Sequence, residues 1–274
     1  MNLVWGLLVV AVADALAIGA MLLVRRRAPE GSFFSDGDRA SGVFGVLATC
    51  FAIFAGFVIF LAFTTYDQSL SGADAEALLV RQQYETAQFL PAKVRGQLGA
   101  ELVCYARSVV RQEWPDMEAG AASNTFNPWT LTLFRTISSA DAKTSAEQTA
   151  FGKWLDQTTD REQARRDRIH GAGGITPISL WIVLVLTAIV IFVYMLFFAD
   201  SAELARSQAM LIGSATTVVV VTVLAIYALS NPYRSGLGQI RPTSMERTLV
   251  VLDQARAALN DKTPIPCDEN GQAT

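Results

Sequence analysis

Few side chains in this sequence stand where chemistry would need them, and the clearest is a single carboxylate in an apolar run. Asp14 lies within "VVAVADALAIG", Val9 to Gly19, inside a stretch from Leu3 to Val24 that carries no other charge. That stretch is long enough to cross a bilayer, which takes about 20 apolar residues. An acid near the bilayer centre costs about 2.5–3.5 kcal/mol on insertion scales. Asp14 must lower that cost by staying protonated, by hydrogen bonding or by facing water. At about 1.5 Å per residue, Asp14 comes level with Thr216 and Thr217 of the last apolar stretch. Two chemistries follow: a carboxyl hydrogen-bonded to one of those hydroxyls, or a carboxylate in a wet pathway, where a ring of acids from several copies would favour cations.

Phe51, Phe54 and Phe57 in "CFAIFAGF" form the second candidate. A phenylalanine face meets lipid or builds a hydrophobic constriction that gates by dewetting. Ala11, Ala15 and Gly19, and likewise Ala48, Ala52 and Gly56, are small residues at four-residue spacing, which lets helices approach closely. Constellations for catalysis are missing. The one histidine, His170, sits in a charged linker with no ligand partner at a metal-binding spacing, and neither a G-x-S-x-G nor a P-loop occurs. "GAGG" (Gly171–Gly174) follows no strand and precedes no G-K-[ST], so it reads as a hinge. Asp74, Glu76, Glu101 and Glu113 read as solvated helix charges. No enzymatic activity, metal site or cofactor is expected.

The elements that carry these residues are apolar and long. Of 274 residues, 51% are hydrophobic and only 17% charged, against about 25% charge in a soluble domain. Apolar runs cover Leu3–Val24, Gly42–Phe63, Ile178–Ala199 and Gln208–Ser230, which predicts an all-α membrane protein with four transmembrane helices. Residues 1–63 hold spans one and two with a short basic loop, 64–176 a helical extramembrane domain, 177–230 spans three and four, and 231–274 a helix and a polar tail on the same side as that domain. Arg25, Arg26, Arg27 and Arg39 in the first loop and Arg206 in "DSAELARSQ" mark the cytoplasmic face, so the helical domain is expected outside, in the periplasm of a bacterial inner-membrane protein. Arg161, Arg165, Arg166 and Arg168 argue the other way, but charges in long domains count little. A net charge of −3 and the lack of a basic stripe give no nucleic-acid signature. Cys50 reads as a packing residue in span two. Cys104 and Cys267 fall on one side in this topology, which permits pairing, but nothing in the sequence sets their separation and two free thiols are expected.

Within the domain, Leu78, Leu79, Tyr84, Ala87 and Leu90 share a face, with a break expected at Ser71-Gly72. Pro91 suits the first turn of a second helix bearing Val94, Leu98, Leu102, Tyr105 and Val109, which Pro115 should end. After the loop "AGAASNTFNP" comes a short helix with Trp129, Leu133 and Phe134. Ser145 with Gln148 then resembles a capping box opening a helix with Phe151, Trp154 and Leu155 inward. Pro242-Thr243-Ser244 opens the last helix, with Leu249, Leu252 and Leu259 inward, and the chain from Asn260 is expected to fray.

"GFVIFLAFTTYD" (Gly56–Asp67), "YARSVVRQEWPDM" (Tyr105–Met117), "ITPISLW" (Ile175–Trp181) and "NPYRSG" (Asn231–Gly236) occur in this order between the spans. Together they resemble a bacterial family of membrane proteins labelled bestrophin-like. The last motif begins with Asn231, where the family more often carries an acid. Bestrophins are pentameric anion channels whose second span contributes an aromatic and aliphatic neck, with a cytosolic helical domain. The resemblance therefore implies a homo-oligomer, by analogy a pentamer, that conducts ions through the bilayer. It further suggests that Gly56, Tyr66, Asp67, Trp114, Pro115, Asn231, Pro232 and Gly236 are motif or interface positions. Separately, Tyr66-Asp67 end span two, Asn231 follows span four and Trp114 suits a half-buried interfacial position, so these residues and the 231–236 turn are expected to meet near the outer membrane surface, unless each is an independent boundary residue. The rival expectation is a non-conducting sensor or scaffold whose helical domain binds an envelope component.

Overall fold

In a computed structural model, which describes residues 3–121 and 126–274, the chain divides into two compact units. The first takes the chain up to Thr64, together with Ile175–Ser230 and Ser235–Gly238. It holds α1 (Leu3–Arg25), the first part of α2 (Gly37–Ala87), α7 (Ile178–Leu196) and α8 (Ala205–Ser230), the four helices long and apolar enough to cross a membrane. Most of their side chains face outward, as expected where the solvent is hydrocarbon. Its interior is narrow. Phe51, Ala55 and Val58 of α2 pack with Leu184 and Ile191 of α7 and Ile226 of α8, while Ala17 and Met21 of α1 meet Ile212 of α8. At one end Arg25 ties α1 to the α7–α8 loop by donating to the carbonyls of Asp200 (3.1 Å), Ser201 (3.0 Å) and Glu203. Phe34, Phe44, Tyr194 and Phe198 cluster at that end with ring centroids 5.0–6.0 Å apart. Cys50 is exposed rather than packed, because it points away from the α2 face that meets α7.

The second unit takes Thr65–Gly174, Asn231–Arg234 and Gln239–Thr274. It contains the rest of α2, then α3 (Ala92–Ser108), a π-helical turn (Val109–Glu113), α4 (Trp114–Glu118), α5 (Pro128–Ser138), α6 (Ser145–His170) and α9 (Thr243–Ala258). Val94, Leu98, Leu102, Tyr105 and Val109 are all buried, as their spacing predicts, and Tyr84 and Ala87 of α2 and Leu90 of the turn after it pack in the same core. Leu78, Phe134, Leu155 and Leu259 are exposed, so the apolar faces predicted for α2, α5, α6 and α9 are narrower than expected.

Local details depart from expectation for identifiable reasons. The break at Ser71-Gly72 does not occur. Gly72 instead lets α6 approach, since a Cβ there would sit 2.6 Å from the Arg168 amide nitrogen and 2.8 Å from the Ala164 carbonyl. Pro91 precedes α3 as its N-cap rather than entering its first turn. Pro115 does not end the helix. The π turn absorbs its missing N–H, with the Trp114 amide reaching back five residues to Val109, and α4 continues from there. The capping box before α6 is Thr144 with Glu147, one position earlier than expected; Thr144 Oγ1 accepts from the Glu147 amide and Glu147 accepts from the Thr144 amide at 2.9 Å. Part of the loop at "AGAASNT", residues 122–125, lies outside the described residues.

The tail does not fray. Cys267 is disulfide-bonded to Cys104 of α3, with Cα atoms 5.8 Å apart, which corrects the expectation of two free thiols. Trp129 Nε1 donates to the Gly271 carbonyl (2.7 Å), Gln112 to Asn270 (2.7 Å) and Arg107 to Asp268 (3.1 Å). Gly271 has a positive φ of 77° and lies where a Cβ would strike the Ser108 backbone at 2.5 Å, so only glycine lets the tail lie this close to α3.

Candidate functional site

In the membrane unit, α1 and α8 run against each other, with Ile18 over Gly213 and Ala17 and Met21 against Ile212. One turn before that contact, Thr217 Oγ1 donates to Asp14 Oδ2 at 2.7 Å, so the depth count from sequence brought the right pair together. Asp14 Oδ1 and Thr216 Oγ1 are both shielded from solvent and bonded to nothing among the described residues. Thr216 also lines an apolar cavity of about 300 Å³ with Val9, Phe192 and Val219. The site therefore pairs one satisfied carboxyl oxygen with a spare acceptor and a spare hydroxyl, a set that can hold a water, a proton or a small cation.

The three phenylalanines do not share one environment. Phe51 is buried against α7 and α8, Phe54 is half-buried and Phe57 is 59% exposed. Steps of three residues turn a helix by about 300°, so the set drifts from the interior to the surface. The small-residue stripes also lie outward: Ala11, Ala15, Ala52 and Gly56 are exposed, and a Cβ at Gly19 or Gly56 would meet nothing within 4 Å. They do not mediate packing within one chain.

The second unit holds a site that the sequence reading missed. Glu76, Glu113 and Arg168 are each at most 1% exposed. The Arg168 guanidinium is bidentate to Glu76 through Nε and Nη2, and Nη2 also reaches Glu113 Oε2 at 2.7 Å. Arg165 lies 3.3 Å from Glu113, Asn127 Nδ2 donates to Glu113 Oε1 (2.9 Å), and Tyr105 OH donates to Glu76 Oε1 (2.6 Å). Arg161 stacks 4.6 Å from the Tyr105 ring centroid and donates to Gln83 at 2.7 Å. The π turn contributes directly, since it turns Val109, Val110 and Glu113 inward together. Burial pushes the Tyr105 hydroxyl well up, and the Glu76 carboxylate adds to that. Burial alone would raise Glu113, but Arg168 and Arg165 outweigh it and hold the carboxyl below its usual range. Arg168 is held above its ordinary value because Glu76 and Glu113 overcome the opposing effect of burial.

These acids are therefore not solvated, contrary to expectation, and neither is Glu101, which bonds Thr136 (2.7 Å) and which burial raises. A signal was present: Ala73, Glu76, Ala77, Val80, Gln83, Tyr84 and Ala87 recur at helical spacing and are all buried. Amphipathic reading assigns a charge to solvent by type, and that habit hid Glu76.

Trp114 is 2% exposed rather than interfacial. Its ring meets Tyr233 edge-on at 5.7 Å, the Arg168 guanidinium lies 5.4 Å from its centroid, and its Nε1 donates to Ile240. Tyr233 OH donates to the Arg168 carbonyl (2.6 Å), and Pro232 accepts from the Ile240 amide (2.8 Å). The structure thus brings Trp114 and Pro115 of α4 near the 231–234 turn. Tyr66 is half-buried and packs on the same core, while Asp67 is exposed. Gly236 and half-buried Asn231 end and begin the motif. No group of three or more potential metal ligands occurs among the described residues.

Among the described residues the chain thus combines four helices long and apolar enough to cross a membrane with a helical unit that buries a Glu–Arg–Glu cluster. The bestrophin-like domain matches residues 11–245, and the chain belongs to that family. Its fold is similar to crystal structures of a bacterial bestrophin homologue from Klebsiella pneumoniae. One of these, phased with zinc, has 13% identity over 92% of this chain and 99% of that one, with a TM-score of 0.66. A point variant has 15% identity over 92% and 98%, with a TM-score of 0.65. No curated protein matches the chain.

Proposed function

We propose that the protein is an oligomeric ion-conducting membrane protein, with α2 and part of α1 lining the pathway. The observation that carries this reading is the bestrophin-like match across 11–245 together with the bestrophin fold. The exposed small-residue stripes of α1 and α2 support assembly, because surfaces that permit close approach find no partner within one chain. By analogy with bestrophins the assembly is a pentamer. Asp14 Oδ1 and Thr216 Oγ1, unpaired in the membrane unit, are the groups through which cations would be favoured; anion conduction is the alternative that the family suggests.

The helical unit lies on the oxidising side of a bacterial inner membrane in this reading. A disulfide between Cys104 and Cys267 suits that compartment, and Arg161 and Arg168, which argued for the cytoplasmic side, are paired within the fold, Arg161 with Glu162 and Arg168 with Glu76 and Glu113. The decisive experiment is flux of K⁺ or Cl⁻ from liposomes holding the purified protein. Flux above protein-free vesicles supports conduction, and its absence for both ions favours a sensor or scaffold. Separately, an Ala121→Cys variant should react with an impermeant thiol reagent in cells with a permeabilised outer membrane. Labelling only after inner-membrane lysis would reverse the topology.

A further inference from the structure

The membrane unit contains a second cavity, of about 470 Å³, where α1, α2 and α8 meet the α7–α8 loop. Its wall is mostly apolar: Met21, Phe44, Met195, Phe198, Leu211 and Ile212. Its polar end is Gln208, Glu203 and Ser41. Gln208 is only 5% exposed, yet its Oε1 has no hydrogen-bond partner among the described residues. The amide orientation is fixed by its other half. Gln208 Nε2 donates to the Asp200 carbonyl and to Glu203 Oε2, both at 3.0 Å, and both can only accept.

The other side-chain donor that lines the cavity is also committed, and Arg25 beside it spends Nε and Nη2 on backbone. Ser41 Oγ donates to the Asp38 carbonyl, and Arg25 donates to the carbonyls of Asp200, Ser201 and Glu203. What is left over is acceptors: Gln208 Oε1, the second Glu203 oxygen and the Ser41 lone pairs. A carboxylate or phosphate head would find no free donor among the side chains that line the cavity, whereas an ammonium would find three acceptors and one negative charge. Arg26 and Arg27, which follow directly on Arg25, are exposed and free to meet a phosphate from solvent or headgroups.

We propose that this cavity binds an aminophospholipid, with the ethanolamine ammonium on Gln208 and Glu203 and an acyl chain along the Met21–Phe44–Phe198–Leu211 wall. The occupant follows from three features taken together: an apolar wall, an acceptor-only pocket end and adjoining arginines. A choline head has the same charge but no N–H, so it cannot satisfy Gln208 Oε1.

The test is native mass spectrometry of the delipidated full-length protein after incubation with phosphatidylethanolamine, phosphatidylcholine or phosphatidylglycerol of identical acyl chains. Phosphatidylethanolamine should be retained about tenfold more than phosphatidylcholine, the worth of about one charge-assisted hydrogen bond. Gln208→Met should bring its retention down to the phosphatidylcholine level. Ala215→Phe, which fills the apolar end and leaves Gln208 untouched, should lower retention of both and guards against misfolding of the first variant. Equal retention of the ethanolamine and choline lipids by the unaltered protein overturns the proposal. So does equal retention of phosphatidylglycerol, which would assign binding to the arginines alone, and so does retention of no lipid, which would mean that a neighbouring copy fills the cavity.

Discussion

Replacing Arg168 by Met removes the cation held between Glu76 and Glu113 while keeping an apolar chain of similar reach. The consequences for the two acids differ. Glu113 keeps Arg165 at 3.3 Å and Asn127 at 2.9 Å, whereas Glu76 keeps, among the described residues, only the Tyr105 hydroxyl at 2.6 Å. Breaking a buried ion pair costs about 3–5 kcal/mol because an uncompensated charge stays behind. A ceiling follows from protonation: neutralising a carboxyl of ordinary value near 4.3 costs about 3.7 kcal/mol at pH 7 and about 1 kcal/mol at pH 5. The expected loss is therefore about 3–4 kcal/mol at pH 7, shrinking by more than half at pH 5. At about 2–4 °C per kcal/mol for a domain of 150–250 residues, the midpoint should fall by about 6–15 °C. Thermal unfolding of the detergent-solubilised protein, followed by circular dichroism at both pH values, reads this out. Combining Arg168→Met with Glu76→Gln and Glu113→Gln should restore most of the loss, since no charge is then left unpaired. A single variant that falls by less than about 2 °C, or a triple variant no better than the single, would refute the assignment of Arg168 as the cation that holds this cluster together.

Asp14→Asn should leave the fold and unfolding midpoint unchanged, because Asn still accepts from Thr217, while altering the K⁺ to Cl⁻ flux ratio of liposomes; an identical ratio from pH 5 to 8 would make Asp14 a packing residue. Cys267→Ser should destabilise the helical unit by about 2–5 kcal/mol and open the tail to proteolysis near Gly271, measured against a reduced and an unreduced control. Phe51→Ala should cost about 3–5 kcal/mol, and Phe57→Ala should leave stability unchanged, so only the second can be read cleanly for flux. Folded Glu113 titrates below its unfolded value, so the unfolded chain binds more protons in that window. Its contribution is complete above the ordinary glutamate range and is lost as pH falls through the folded value. Glu113→Gln should flatten the acid limb of a stability–pH curve.

The apolar spans could be read because hydrocarbon imposes length and composition directly, and the meeting of Asp14 with Thr217 because two antiparallel rods can be aligned by counting. The faces of α3 could be read because nearly every inward residue is apolar. What stayed hidden is where chemistry ran against type. Glu76, Glu113 and Arg168 lie on three segments far apart in sequence, and each alone looks like a surface charge. Trp114 looked like a membrane-interface residue because tryptophan often is one; its indole N–H instead found Ile240 within the core. The Cys104–Cys267 bond depends on a tail whose docking rests on backbone carbonyls that carry no side-chain signature. Pro115 is a helix terminator by ordinary rules, and only the wide turn before it explains why the chain goes on. Capping before α6 was found one residue off, since Thr144 and Ser145 are chemically equivalent caps and spacing alone does not rank them.

The bond between Cys104 and Cys267 also imposes an order on biosynthesis. Its partners are 163 positions apart, and both α7 and α8 lie between them. The first thiol therefore has no partner in Cys267 until both hydrophobic segments have been translated. A chain arrested before α9, or one in which either segment fails to insert, delivers Cys267 to the wrong place or not at all. On the topology proposed above, oxidation of this pair is thus a record written into each molecule that translation and insertion were completed, and a non-reducing gel can count the copies that carry it.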